Sequence, residues 1–558
     1  MRARTRGILA TASILITGVA IAIVGSRPDS PFTPPLPRGA AASWPLRGSV
    51  SLLGVDRLSR GAVAALGAIL IFSAAGAFLF ALGRAWRREL TVRRVIAVAL
   101  LLHALALAMP VFLSRDVYSY TFYGRMVSRH GANPYTDIPA AFPSDPHYPF
   151  VSVDWIDSPS VYGPAFTAVS AGVTSATATP ESSAFAFKVL AALASVATLL
   201  LTVAAARRVA PERTAFAGML VGWNPVVVFH GVAGGHNDAL LGLALSAGVL
   251  AILSRRELWA TAILAFGTLV KVSGGVPMAI AVAGAVAARR GGERMRRVWL
   301  HAGIAAVLAA PFVVPFLQRE DPTLGALELT SRQGWLAPSR FVLQTFRGLA
   351  RLIGGDTAAD VVSLIVRVAF PLLFLWVLFI LVRHLAKDPS RITPALVVAG
   401  MGWAALFSLL VAPILLPWYA AWVVPLAWIL PRLARGGAVV LCLALAITEL
   451  VAEPARSPGL YEAMVFGLHW LATPLMLLVL VRLIRDLRAR VAVGPGLGFD
   501  DPLLSEEISI APSARSSLGD HVAGDPERSG QRERSTTTGE KADPVPGDGS
   551  DRRDRDAD

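Results

Sequence analysis

Long apolar runs separated by short arginine clusters constrain this chain more than any other feature. A helix that crosses a bilayer needs about 20 mostly apolar residues. Such runs begin at Ile8–Gly25, Ala62–Leu82 and Val95–Leu113 and recur until the cluster Arg482, Arg485, Arg488 and Arg490. Only 16% of the 558 residues are charged and 54% are hydrophobic, whereas soluble chains carry about one quarter charged residues. Mean hydropathy is +0.57. These values argue against a water-soluble enzyme. The single cysteine, Cys442, excludes a disulfide-stapled fold, and the abundance of Leu, Val, Phe and Trp excludes a wholly disordered one. The expected class is an all-α polytopic membrane protein.

The arginine clusters set the orientation. Loops rich in Lys and Arg stay cytoplasmic, and Arg84–Arg94, Arg207–Arg213, Arg255–Arg256, Arg289–Arg297, Arg383–Arg391 and Arg432–Arg435 all fall on one side of an alternating path. The net charge of +14 resides in these loops, not along one soluble face, so no nucleic-acid partner is expected. The count is roughly 12 to 14 spans, in the plasma membrane, with both termini cytoplasmic. Residues 1–60 read as an anchor helix and a Pro-rich external loop, 61–490 as the transmembrane region, and 491–558 as a disordered cytoplasmic tail. Phe341–Ile353 has the pattern of an interfacial helix, and Pro164–Thr179 reads as a re-entrant or juxtamembrane helix.

Polar residues at membrane depth are costly and mark function. Here they gather at the external ends of the helices, above all in the long loop 114–162. Ser114-Arg115-Asp116-Val117-Tyr118-Ser119-Tyr120 follows an outward span. Asp116 there is either a general base for an acceptor hydroxyl or an N-terminal helix cap. Arg125, Asn133-Pro134-Tyr135, Asp154, Asp157 and Tyr162 mix aromatic rings with carboxylates and amides, as a sugar site does and as an aromatic belt also does. Gly234-Gly235-His236-Asn237-Asp238 would bind hydroxyls or phosphate at a helix start, or simply cap it. Lys271 stands inside an apolar hairpin without a charged neighbour in sequence, so it either meets a lipid-linked phosphate or extends to the headgroups. Arg332 would share that phosphate, and Trp418-Tyr419 would stack on a sugar or anchor the interface. No metal-ligand set, Walker A loop or dinucleotide fingerprint is present, so an activated donor would have to arrive through the membrane.

In their order, Ser114–Tyr120, Asn133-Pro134-Tyr135, Tyr162-Gly163-Pro164, Trp223-Asn224-Pro225, Gly235–Asp238 and Leu416-Pro417-Trp418-Tyr419 resemble the actinobacterial GT-C glycosyltransferases. Specifically, they are similar to the polyprenol-phosphate-mannose-dependent α-(1→6)-mannosyltransferases of the lipomannan and lipoarabinomannan pathway, over roughly residues 60 to 485. The resemblance implies a GT-C-like bundle with an outward-facing site and an essential Asp at position 116. It implies polyprenyl-phosphate mannose as donor, a mannan or lipoglycan as acceptor, and no cofactor or required metal. On that basis Asp116 would deprotonate the acceptor 6-hydroxyl for an inverting displacement, and Lys271 with Arg125 or Arg332 would hold the departing phosphate. Tyr118, Tyr120, Asn133, Tyr135, Asp154, Asp157, Tyr162, His236, Asn237, Asp238, Trp418 and Tyr419 would line the sugar and acceptor sites. A transporter or flippase of lipid-linked sugars is the competing class, which inverted repeats with polar groups at mid-membrane would mark. A GT-C transferase for another sugar is the nearer competitor.

Overall fold

Inside a bilayer each backbone N–H and C=O must find its partner within the protein, which favours helices. The computed structural model describes residues 3–37, 44–317, 337–447, 452, 458–492 and 496–498, and among these there are helices, turns and loops but no strand. The chain is an all-α polytopic membrane protein. In order, the principal helices are α1 (Ala3–Gly25), α2 (Arg60–Trp86), α3 (Val92–Ala108), α4 (Asp116–Ser128), α5 (Pro164–Ala176), α6 (Pro180–Val209) and α7 (Thr214–Gly222). They continue as α8 (Asp238–Leu253), α9 (Glu257–Val270), α10 (Gly275–Ala287), α11 (Gly292–Val313), α12 (Pro338–Lys387), α13 (Pro394–Val411), α14 (Arg432–Ala446), α15 (Pro458–Gly467) and α16 (Thr473–Ala492).

Seven helices among the described residues are long and apolar enough to cross a membrane, or eight if α7 and the π-helical turn Val226–Ala233 form one bent span. Shorter apolar helices lie over Asp238–Leu253, Glu257–Val270 and Val272–Ala287; even with these, the described residues give fewer than the 12 to 14 spans expected from the sequence. Side-chain caps fix several helix starts: Ser59 accepts from the Ala62 N–H, Thr91 from Arg94, and Thr393 from Leu396. The hairpin expected near Lys271–Gly275 is formed by the end of α9 and the start of α10.

Helix α12 breaks at Gly354 and Gly355, the latter at φ 72° and ψ −160°. The break divides the amphipathic stretch expected over Phe341–Ile353 from the apolar run that follows. Helix α5 is 13 residues long and lies within the segment expected to form a re-entrant or juxtamembrane helix. At the C-terminal end the helix runs to Ala492, and Leu497 is buried, its carbonyl accepting from the Trp403 indole at 3.0 Å. The tail expected from 491 is thus helical at its first two residues and packed at 496–498, and the rest of that expectation lies outside the described residues.

Two apolar clusters matter for the site. The larger runs through α1–α3, α6–α10 and α12–α16. The smaller is aromatic and packs α4 and α5 with Tyr118, Tyr120, Tyr123, Phe150, Tyr162, Phe166, Phe187 and Val270. It is this second cluster that gives the loop 114–162 a rigid seat.

Candidate active site

The site is built from the ends of α4, α8 and α9 and from the 3-10 turn Pro417–Trp422. Asp116 is the first residue of α4, and its N–H donates to Ser114 Oγ at 3.1 Å. Ser114 therefore meets a backbone donor at the helix start, beside the Asp116 carboxylate. That carboxylate lies 3.7 Å from His236 Nδ1, with 17% of the side chain exposed. One turn later on α4, Tyr120 OH lies 3.2 Å from His236 Nδ1 and donates to Asn237 Oδ1 at 3.5 Å. Edge-on contacts to Tyr162 at 4.8 Å and Phe166 at 4.9 Å hold the Tyr120 ring.

His236 reaches this position because Gly235 turns the chain at φ +69°, a left-handed conformation that suits glycine. Its ring stacks on Trp418 at 3.6 Å and 14°. Its Nε2 and the Asn237 Nδ2 are buried without a hydrogen-bond partner among the described residues. Unmet buried polar atoms of this kind cost about 1–3 kcal/mol each, and a sugar hydroxyl would satisfy them.

Behind this layer, Asp238 opens α8 and is fully buried. It accepts two hydrogen bonds from Lys271 Nζ, at 2.8 and 3.0 Å, and one from the Trp422 indole at 2.6 Å. Lys271 Nζ also lies 4.2 Å from the Tyr419 ring centroid, and Tyr419 stacks on Trp422 at 4.2 Å. A buried anion is tolerated only when paired and hydrogen-bonded, and these three groups meet that condition.

Burial pushes the Asp116 carboxyl up to about 6, with the Lys271 charge and the Ser114 hydrogen bond pulling it back and Asp238 pushing further. His236 is held well below its usual range by burial, and then by Lys271, so it is a neutral imidazole near pH 7. A carboxylate that titrates near neutrality can take a proton and later release it.

Several expected assignments change. Lys271 does not await an external counter-charge, because α9 returns alongside α8 and brings it to Asp238. Arg125 is not at this site: its guanidinium is committed to Asp145, with Nε at 3.0 Å from both carboxylate oxygens. Asp145 also meets His130 Nε2 at 2.8 Å, and its carboxyl falls to about 2 because these donors overcome the burial that would raise it. Asp154 and Asp157 are exposed and lie on the surface of the loop. Asn133 shapes a turn, with Oδ1 accepting from the Tyr135 N–H and Nδ2 donating to the Phe316 carbonyl. Tyr135 is a buried brace whose hydroxyl donates to the Tyr162 carbonyl at 2.8 Å, and Tyr118 packs on Phe150. Arg332 lies outside the described residues. The structure thus assembles Asp116, Tyr120, Tyr162, His236, Asn237, Asp238, Lys271, Trp418 and Tyr419.

Two residues at or beside the site escaped sequence reasoning. Trp422 follows Tyr419 by three residues, one turn of a 3-10 helix, a spacing that brings the two rings together. Lys188 is fully buried in α6, donates to the Leu107 and Met109 carbonyls, and sits 4.3 Å from the Trp44 ring centroid. A lysine within an apolar run is itself a signal.

A helical membrane protein whose polar groups converge at helix ends, around one half-buried carboxylate and a wall of aromatic rings, has the build of an integral-membrane enzyme. The chain belongs to the family described as alpha-(1→6)-mannopyranosyltransferase, N-terminal domain, whose model matches residues 4–289. It is 27% identical over 436 residues to alpha-(1→6)-mannopyranosyltransferase A of Mycobacterium tuberculosis, covering 73% of this chain and 79% of that protein. It is 28% identical over 415 residues to a probable alpha-(1→6)-mannopyranosyltransferase of Mycolicibacterium smegmatis, covering 66% and 71%. With alpha-(1→6)-mannopyranosyltransferase A of Corynebacterium glutamicum the match is 29% over 173 residues, 30% of this chain and 34% of that protein. No solved structure matches.

Proposed function

We propose that this chain transfers mannose from polyprenyl-phosphate mannose to the 6-hydroxyl of an α-(1→6) mannan or lipoglycan acceptor, at the outer face of the plasma membrane and with inversion. The observation that carries this reading is the Asp116 carboxylate, half-buried and poised near neutrality against a neutral His236, in a chain whose relatives bear the name of that transfer. Asp116 takes the proton of the acceptor hydroxyl as its oxygen attacks the anomeric carbon. The new bond forms as the bond from that carbon to the phosphate oxygen breaks, and polyprenyl phosphate leaves with the electron pair. A β-linked donor gives an α-linked product by this single displacement.

The other residues position the reactants. His236 and Asn237 offer unpaired polar atoms to sugar hydroxyls, and Trp418 and Tyr162 supply apolar ring faces. The Asp238–Lys271 pair is a fixed charged element: Lys271, its side chain 14% exposed, keeps a positive field beside the leaving phosphate while Asp238 holds it in place. The outer-face location is supported by α8 and α9, which carry Asp238 and Lys271 at one end and Arg255, Arg256 and Glu257 at the other. Arginine-rich ends favour the cytoplasm, which supports a site at the outer face. In this mechanism no step draws on a metal or cofactor.

Membranes containing Asp116→Asn are to be assayed with labelled polyprenyl-phosphate mannose, with the product linkage read by NMR. Transfer is expected to be lost at unchanged expression. Turnover at the wild-type rate would remove Asp116 from the mechanism, and a product other than α-(1→6) mannoside would remove the proposed reaction.

A further inference from the structure

A cavity of about 590 Å³ opens at the opposite end of the helices that carry the site. It lies where α8 ends, α9 begins, α10 ends and α13 begins. Helix α8 spans 16 residues, about 24 Å at 1.5 Å per residue, so the cavity is remote from Asp238. Four arginines line it, Arg255, Arg256, Arg289 and Arg297, against the single carboxylate of Glu257.

That carboxylate is already shared. Arg289 meets it at 3.3 Å and Arg297 at 3.8 Å, and Arg297 also pairs with Glu293 at 3.0 Å. Arg255 and Arg256 are exposed, and among the described residues they pair with no carboxylate. The wall therefore carries an excess of three positive charges. Arg255 is moreover held at φ +58°, a left-handed conformation that a glycine would adopt without strain. The facing wall is apolar and built of small side chains, including Ala281, Gly284, Ala285 and Val397. Trp259, also lining the cavity, is 69% exposed, and an indole at a helix end is suited to the headgroup level of a bilayer.

Clustered guanidinium groups in partial burial repel one another and bind phosphate through paired N–H donors. An adjoining apolar wall between helices would accommodate an acyl chain, and basic pockets between helices on the cytoplasmic side suit phosphorylated lipid heads. We propose that this cavity binds the phosphate headgroup of an anionic phospholipid, with its acyl chain laid along the Ala281–Val397 wall. The site depends on the membrane topology and is independent of the transfer chemistry at Asp116.

The full chain, purified in neutral detergent, is titrated with phosphatidylglycerol, with phosphatidylcholine or with inorganic phosphate while thermal unfolding is followed by tryptophan fluorescence. Phosphatidylglycerol is expected to raise Tm saturably, and the other two to leave it unmoved. The Arg255→Gly, Arg256→Ala double variant alters two exposed side chains and relieves the strained backbone, so its lipid-free Tm is expected to equal or exceed that of the wild type. Its half-saturating phosphatidylglycerol concentration is expected to rise by roughly tenfold or more. Arg289→Gln is expected to weaken the lipid shift as well. Equal shifts with phosphatidylcholine, or an unchanged lipid response in the double variant, would overturn the proposal. A saturable shift with inorganic phosphate alone would reassign the cavity to a soluble anion.

Discussion

Replacing Asp116 by Asn is expected to make the protein more stable near pH 7 while abolishing transfer. In the folded chain the Asp116 carboxyl is raised from 3.8 to about 6, with burial as the main cause. A folded-state value above the unfolded one means that the fold prefers the protonated group. The corresponding stability is fully present below about pH 3.8 and is lost as pH rises through about 6. A tenfold change in proton affinity corresponds to about 1.4 kcal/mol, so ionising this carboxylate in place costs the fold roughly 3 kcal/mol at pH 7. Asparagine has nearly the same shape and no charge, so most of that cost disappears. The assay is thermal unfolding of wild type and variant in detergent from pH 4.5 to 8. The gap should be smallest at the acid end, widen towards pH 6 and level off above it, with the variant higher. A variant that is less stable at pH 7, or a gap that does not change with pH, would refute the assignment of a desolvated carboxylate at this position.

Three further outcomes follow from the same geometry. The transfer rate should fall about tenfold per pH unit below about pH 6 as Asp116 takes up its proton, and a flat pH–kcat/KM profile between pH 5 and 7 would contradict its role as base. Lys271→Met leaves Asp238 buried and unpaired at a cost of about 3–5 kcal/mol; adding Asp238→Asn should restore much of the lost stability but not activity, as thermal unfolding and mannosyl transfer would show. Arg125→Ala should cost less, about 1–3 kcal/mol, because Asp145 keeps His130 Nε2 and the His147 N–H, with the KM for the lipid donor unchanged in the folded fraction; a large rise in KM would return Arg125 to the phosphate site.

The membrane class was legible because lipid imposes a length and a composition on every crossing element. Position 116 drew attention for the same reason, a carboxylate directly after an apolar run, but the residues alone left a general base and a helix cap both open. What local reading did not supply was partnership. Asp238 and Lys271 are 33 residues apart, and only the return of α9 alongside α8 joins them, so each looked like an unpaired charge. Arg125 seemed available for phosphate because Asp145, its partner, comes 20 residues later in a loop without periodicity. Asp154 and Asp157 failed for a different reason: a loop of this composition alternates exposed and buried positions with no repeat from which to tell them apart. Tyr135 and Tyr118 look like ring platforms in sequence, but a tyrosine serves equally well as a brace between loops.

Gly163 occupies the point where the loop 114–162 rejoins the helices. Its N–H donates to the Val270 carbonyl at 3.2 Å, and a Cβ there would overlap the Leu269 carbonyl oxygen. One missing methyl group thus lets the strand of chain bearing Tyr162 lie flush on the last turn before Lys271. The aromatic lining and the ammonium are thereby welded into a single part, whose alignment does not depend on substrate. Natural or engineered variants should tolerate change on the outer loop surface far more readily than at this silent seam, where no reaction takes place.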